Sequence, residues 1–146
     1  MNMATPWTYQ HSIETGARPE DIFALYADVP NWPRWDLGVS RVTIDGPFAA
    51  GSTGSLTPEG QDPVEYTMVA VTPNRSFSDE TVLGDTRIRF GHVLEPLPGG
   101  RTRITHSVSI SGSGAEELGA MITSDVPDAM HALALLAERS AGPSGG

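Results

Sequence analysis

The stretch Thr86–Ser111, TRIRFGHVLEPLPGGRTRITHSVSIS, decides how the rest of the chain folds. Apolar and polar residues alternate through both of its halves, which is the period of a strand with one buried face. Ile88, Phe90, His92 and Leu94 share one face of the first run, and Thr102, Ile104, His106, Val108 and Ile110 share one face of the second. Pro98–Gly100 between them has the composition of a tight turn. A turn symmetric about Gly99 makes the two runs antiparallel neighbours and sets His92 opposite His106 on the same face.

Towards the N-terminus, Val39–Asp45, Thr53–Thr57, Val64–Thr72 and Ser76–Val82 are similar short extended runs separated by glycine and proline. With Thr86–Pro96 and Arg101–Ser111 they predict strands joined by hairpins, because a parallel sheet needs helical crossovers that this order lacks. Trp7–Thr15 alternates as well, with Tyr9, His11 and Ile13 on one side, and reads as a first strand. Pro19, Glu20 and Asp21 then open a short helix whose apolar stripe is Ile22, Phe23, Leu25 and Tyr26. Asn31–Asp36, carrying Trp32 and Trp35, predicts a second, very short one. Beyond Gly112 and Gly114, Ala115–Ser140 has helical periodicity through Leu118, Ile122, Val126, Ala129, Leu133 and Leu136, and Pro127 predicts a bend near Ser124–Val126. Residues 1–141 read as one ligand-binding domain and residues 142–146 as a loose tail.

Composition narrows the function. Nine basic against eighteen acidic residues give a net charge of -9, a field that repels phosphate backbones, so no nucleic-acid partner is expected. Cysteine is absent, which removes disulfides, thiolate metal sites and cysteine nucleophiles. No run approaches the roughly 20 apolar residues of a membrane span, and the N-terminus has no signal-peptide pattern, so a cytoplasmic protein without membrane insertion is expected.

Residues along nearly the whole chain carry a family resemblance. Ala17, Pro19, Glu20, Ile22 and Phe23, then Asp28, Trp32 and Trp35, resemble the opening pattern of the START-like (SRPBCC) superfamily of polyketide cyclases/dehydrases and lipid-transport proteins. Phe90, His92, Leu94, Pro96, Gly100, Thr102, Arg103, Thr105 and His106, followed by Gly112, Pro127, Leu133 and Ala137–Glu138, resemble a bacterial branch of it. The resemblance implies an α+β helix-grip fold, a seven-stranded curved antiparallel sheet around a long C-terminal helix. It also implies a pocket between the two for an apolar, polyketide-like or lipid-like molecule, in a monomer or homodimer. No residue set here matches the catalytic residues of a proven aromatase or cyclase, so the resemblance carries a fold and not a reaction.

The candidate chemistry lies with the histidines. His92 and His106 fall on the apolar-facing parity of neighbouring strands, and the helix-grip arrangement brings the first strand, with His11, beside the last. Buried imidazoles need partners, and burial favours the neutral ring, so His92 and His106 are candidates for an acid–base pair acting without a cofactor. The competing reading is that the rings only line the cavity wall of a carrier or sensor. No metal is expected, since the spacing matches no recognised ligand motif.

Tyr9, Ile13, Phe77 and Phe90 share the inward parity and are candidate ligand contacts with His11. Asp79 shares parity with Phe77, although the run Asp79-Glu80 also reads as a solvated strand end. Asp125 at the margin of the helical stripe is a pocket carboxylate or, with Ser124, a cap for the helix break. Trp35 with Trp32 forms a lid or packs in the core, and Met121 is pocket wall or filler. Arg87 and Arg89 face away from the apolar side.

Overall fold

A computed structural model describes residues 6–141. The tail expected at Gly142–Gly146 lies outside the described residues. Strand β1 (Trp7–Thr15) is followed by helix α1 (Pro19–Ala27), a 3-10 segment at Val29–Arg34, and strands β2 (Val39–Asp45), β3 (Thr53–Pro58) and β4 (Val64–Thr72). Strands β5 (Ser76–Leu83), β6 (Thr86–Leu97) and β7 (Arg101–Ser111) precede helices α2 (Ala115–Thr123) and α3 (Val126–Ala141). The seven strands form one antiparallel sheet in the order β1-β7-β6-β5-β4-β3-β2. Chain order is kept from β2 to β7, as hairpin connections require, and β1 closes onto β7.

The register between β6 and β7 is the one a turn about Gly99 dictates: Leu94 pairs with Ile104, His92 with His106 and Phe90 with Val108. Gly99 and Gly100 hold that turn with φ of 82° and 76°, backbone angles at which a side chain is strained. β1 extends the same rows, pairing Tyr9 with Val108, His11 with His106 and Ile13 with Ile104.

α1 begins where Pro19 supplies a ready helical φ and Glu20 and Asp21 meet the positive helix end, and Arg18 Nε donates to Asp21 at 3.2 Å. It buries Ile22 and Tyr26 fully. The segment expected as a second helix is a 3-10 turn shifted to Val29–Arg34, held between Pro30 and Pro33, and it buries Trp32.

The C-terminal helical stretch is two helices rather than one bent rod. Pro127 has no N–H to donate, so it sits in the first turn of a new helix, and Ser124 Oγ donates to the Met121 carbonyl at the break. α3 buries Met130, Leu133, Ala134 and Ala137 against the sheet, and the core continues through Tyr26, Trp32, Trp35, Met68, Phe77 and Ile104. A smaller cluster of Ile88, Val108 and Ile110 packs beneath α2. This is the helix-grip arrangement.

Candidate functional site

One row of side chains crosses the concave face of the sheet: His11 on β1, His106 on β7, His92 on β6 and Phe77 on β5, each directly opposite the next. Inward parity on four successive strands brings them together, and the rings of His106, His92 and Phe77 make contact. His92 and His106 meet edge to face with centroids 4.7 Å apart. On its other side His92 lies flat against Phe77, with centroids 3.8 Å apart and planes 5° from parallel. Tyr26, projecting from α1, closes over the row, 4.8 Å from the Phe77 ring and 5.5 Å from the His92 ring. Its hydroxyl shares a 2.8 Å hydrogen bond with His106 Nε2.

The hydrogen bonds fix how His92 is protonated. Its Nδ1 lies 3.2 Å from the Phe77 carbonyl oxygen, which only accepts, so Nδ1 carries the proton and Nε2 of the neutral ring is a bare lone pair. Burial lowers the His92 pKa to about 4, against the opposing effect of the Phe77 bond. His106 is held well below the ordinary histidine value, first by burial and then by His92 and His11. Burial raises the Tyr26 phenol above its ordinary range. Near neutral pH His92, His106 and Tyr26 are uncharged. His92 nevertheless keeps part of its surface accessible, so its edge borders open space although both faces are covered.

Asp79 stands one row further along the same face, opposite Met68 on β4 and Phe90 on β6, and diagonal to His92. It is 6% exposed, and none of the hydrogen bonds among the described residues reaches its carboxyl group. Burial pushes its pKa up to about 7. The solvated strand end expected from the run Asp79-Glu80 holds only for Glu80. That residue turns outward and pairs with Arg87 at 2.7 Å and Arg89 at 3.0 Å, while Asp79 turns in. A period of two forces adjacent residues to opposite faces, so one carboxylate of the pair had to be buried.

Of the other expected contacts, Tyr9, His11, Ile13 and Phe90 face inward and keep part of their surface accessible, and Phe77 is buried. Trp35 is core rather than lid. It is 4% exposed, 6.1 Å from Tyr26 and 6.3 Å from His106 between ring centroids, and its Nε1 is enclosed without a hydrogen-bond partner. Met121 does not reach the site, being 56% exposed on the outside of α2. Nine residues separate Met121 from Met130, half a turn out of phase on a helix, so Met121 faces outward where Met130 is fully buried. Asp125 is also exposed, and its carboxylate rests over Gly38 instead of the histidines. There it repels Asp36, whose pKa burial and this repulsion together raise to about 6.

Sequence reasoning treated Tyr26 as ordinary helix core and missed it as part of the site. The available signal was chemical: a tyrosine buried by a helix stripe needs a partner for its hydroxyl. Two concavities of about 520 and 260 Å³ lie on the outer face, the larger around Gly91 between Gln10, Arg89 and Ser107. The inner face is instead crowded by the Tyr26, Phe77 and Trp35 rings, and His92 and Phe90 are only partly covered there. Among the described residues, no group of three or more histidine or acidic side chains is placed to hold a metal ion, and no helix is long and apolar enough to cross a membrane.

The family model for polyketide cyclase / dehydrase and lipid transport matches residues 6–138. The chain belongs to this family. The polyketide cyclase / dehydrase and lipid transport assignment agrees with the fold. The structure is similar to a START superfamily protein from Mycobacterium smegmatis, with a TM-score of 0.69 and 12% identity, covering 90% of this chain and 99% of that one. It is also similar to a norcoclaurine synthase point mutant from Thalictrum flavum in complex with a transition-state analogue. There the TM-score is 0.72 and the identity 14%, covering 93% of this chain and 97% of that one. An uncharacterised Mycobacterium tuberculosis protein is 34% identical over 50 residues, a match that spans 33% of this chain and 30% of that relative.

Proposed function

We propose that this protein binds an apolar small molecule against the concave face of the sheet and performs cofactor-free acid–base chemistry on it, with His92 receiving the proton. The observation that carries this reading is the hydrogen bond from His92 Nδ1 to the Phe77 carbonyl, which leaves Nε2 as a fixed lone pair on a neutral ring. A substrate hydroxyl, or a C–H next to a carbonyl, seated against Nε2 gives its proton to that nitrogen. Positive charge developing on the ring is then shared through Nδ1–H with the Phe77 carbonyl.

Burial makes the charged ring costly, so the proton returns to the substrate at another atom. Cyclisation and isomerisation balance in this way. So does dehydration, in which the proton leaves with the departing hydroxide as water. His106, bonded to Tyr26, has the positioning role of holding the His92 ring edge-on.

A carrier that binds without transforming is the second reading. The low proton affinity of His92 favours it, because a ring lowered to about 4 is a weak base at neutral pH. Incubation with 2-tetralone in deuterium oxide separates the two. An enzyme exchanges the α-protons of the ketone faster than buffer does, and His92→Gln abolishes that exchange while changing ketone affinity less than about twofold. Binding without accelerated exchange leaves the carrier.

A further inference from the structure

We propose that Asp79 is the recognition site for a protonated amine, so that the ligand of this hollow is an apolar molecule bearing a basic nitrogen. This rests on the apolar-ligand reading above and names the class of ligand. Asp79 points to the concave side with its carboxyl group free of any protein hydrogen bond among the described residues. The residue is 6% exposed, yet its oxygens are not among the fully enclosed unpartnered atoms, so an ionised carboxylate here is largely desolvated while still open to a donor from outside the protein.

The surroundings state what that donor is. Phe90 on β6 stands directly opposite Asp79 and keeps part of its surface accessible, and Tyr66 on β4 is close enough to feel the Asp79 charge, so the neighbours of the carboxyl group include aromatic rings, which attract a cation. No arginine among the described residues competes for the place. All nine basic residues are arginines, none is buried, and the pair nearest in sequence, Arg87 and Arg89, is engaged by Glu80 on the outer face. The titratable groups facing Asp79 are Tyr66 and His92, and neither brings a positive charge at neutral pH. The net charge of -9 favours approach of a cation over that of a fatty-acid carboxylate. A carboxyl group poised near neutral pH gains most from a ligand that keeps it ionised.

The test uses the full chain and three probes that differ in one group: 2-phenylethylamine, 2-phenylethanol and 3-phenylpropanoate, titrated by calorimetry. At about pH 8 the amine is expected to bind at least about tenfold more tightly than the alcohol, and the carboxylate most weakly. The amine advantage shrinks at about pH 5.5, where Asp79 takes up a proton. Asp79→Asn removes the advantage and leaves the alcohol within about twofold of its wild-type affinity. Alcohol binding equal to amine binding in the wild-type chain overturns the assignment and leaves the apolar-ligand reading intact. A stronger affinity at low pH than at high pH does the same, since it marks Asp79 as a neutral donor to an acceptor such as a carbonyl. Failure of all three probes overturns both readings.

Discussion

His92 and His106 are a directly opposed pair on neighbouring strands, their rings edge to face with centroids 4.7 Å apart. Two imidazoles this close and this enclosed stay neutral together, because a proton on either would be both desolvated and repelled by a proton on the other. The pair therefore presents hydrogen-bonding edges rather than charge. One of those edges, His106 Nε2, is occupied by Tyr26.

That bond has a measurable weight. Tyr26→Phe keeps the ring and deletes the hydroxyl, leaving His106 Nε2 without its partner inside the core. The expected loss is about 1–3 kcal/mol of unfolding free energy, read as a lower urea midpoint at unchanged slope. An unaltered midpoint means that the bond is dispensable and His106 is not positioned by it.

The stability that the two buried histidines contribute falls as pH falls from neutrality. The His92 ring takes a proton near pH 6.5 when the chain is unfolded and only near 4 when folded. Between those values the unfolded state holds more protons, so this contribution is complete above pH 6.5 and is lost as pH drops through about 4. His106 acts in the same direction. For His92 the contribution is about 3 kcal/mol. Urea unfolding of the wild type and His92→Gln at about pH 7 and pH 4.5 isolates this contribution from the opposing ones of Asp79 and Asp36: acidification should cost the wild type more, or gain it less, than the variant. An equal response in the two proteins would contradict the lowered proton affinity of His92.

Asp79 contributes with the opposite sign. Its folded pKa of about 7 lies above the ordinary 3.8, so the folded state holds the extra proton between those values. The contribution is fully present below 3.8 and lost as pH rises through about 7. Asp79→Asn should therefore stabilise the protein by about 2–4 kcal/mol near pH 8 and by little near pH 4. A gain on removing a side chain is what a residue retained for binding produces. Destabilisation of the variant at pH 8 would show instead that the carboxylate supports the fold.

Much of the fold was legible because its signals are local. Period-two alternation and a glycine turn fix the β6–β7 register, and that register alone brings His92 to His106. The inward parity of Asp79 was legible too, but adjacent carboxylates at Asp79 and Glu80 say only that one is buried. The outward Arg87 and Arg89 decide which. The Tyr26–His106 bond was not legible, since the partners lie 80 positions apart on a helix and a strand whose relative orientation no pattern encodes. Met121 and Asp125 were misplaced for a related reason. The buried stripe runs through Gly119, Thr123, the partly buried Val126, Met130, Leu133 and Ala137, and its small and polar members Gly119 and Thr123 carry no hydrophobic signal, so the buried side of α2 was not marked by its larger residues.

Gly119 ties α2 to the sheet. A Cβ added there would lie 2.5 Å from the Trp7 ring, whose place against α2 allows no methyl group. Gly119→Ala should cost about 1–3 kcal/mol by displacing the indole and loosening α2 from β1, despite alanine's better helix propensity. Thermal unfolding with Trp7 fluorescence reads both effects, and a variant as stable as the wild type would contradict the packing of α2.

Proton transfer to His92 requires a neutral, inward ring whose Nε2 carries no proton, and nitrogen-15 NMR of the histidine side chains measures this directly. At pH 7 the His92 ring is expected to show a protonated Nδ1 and an unprotonated Nε2, and to keep that pattern until the pH falls towards about 4. A His92 signal that titrates near 6.5 like a solvent-exposed imidazole, or one with the proton on Nε2, would contradict it.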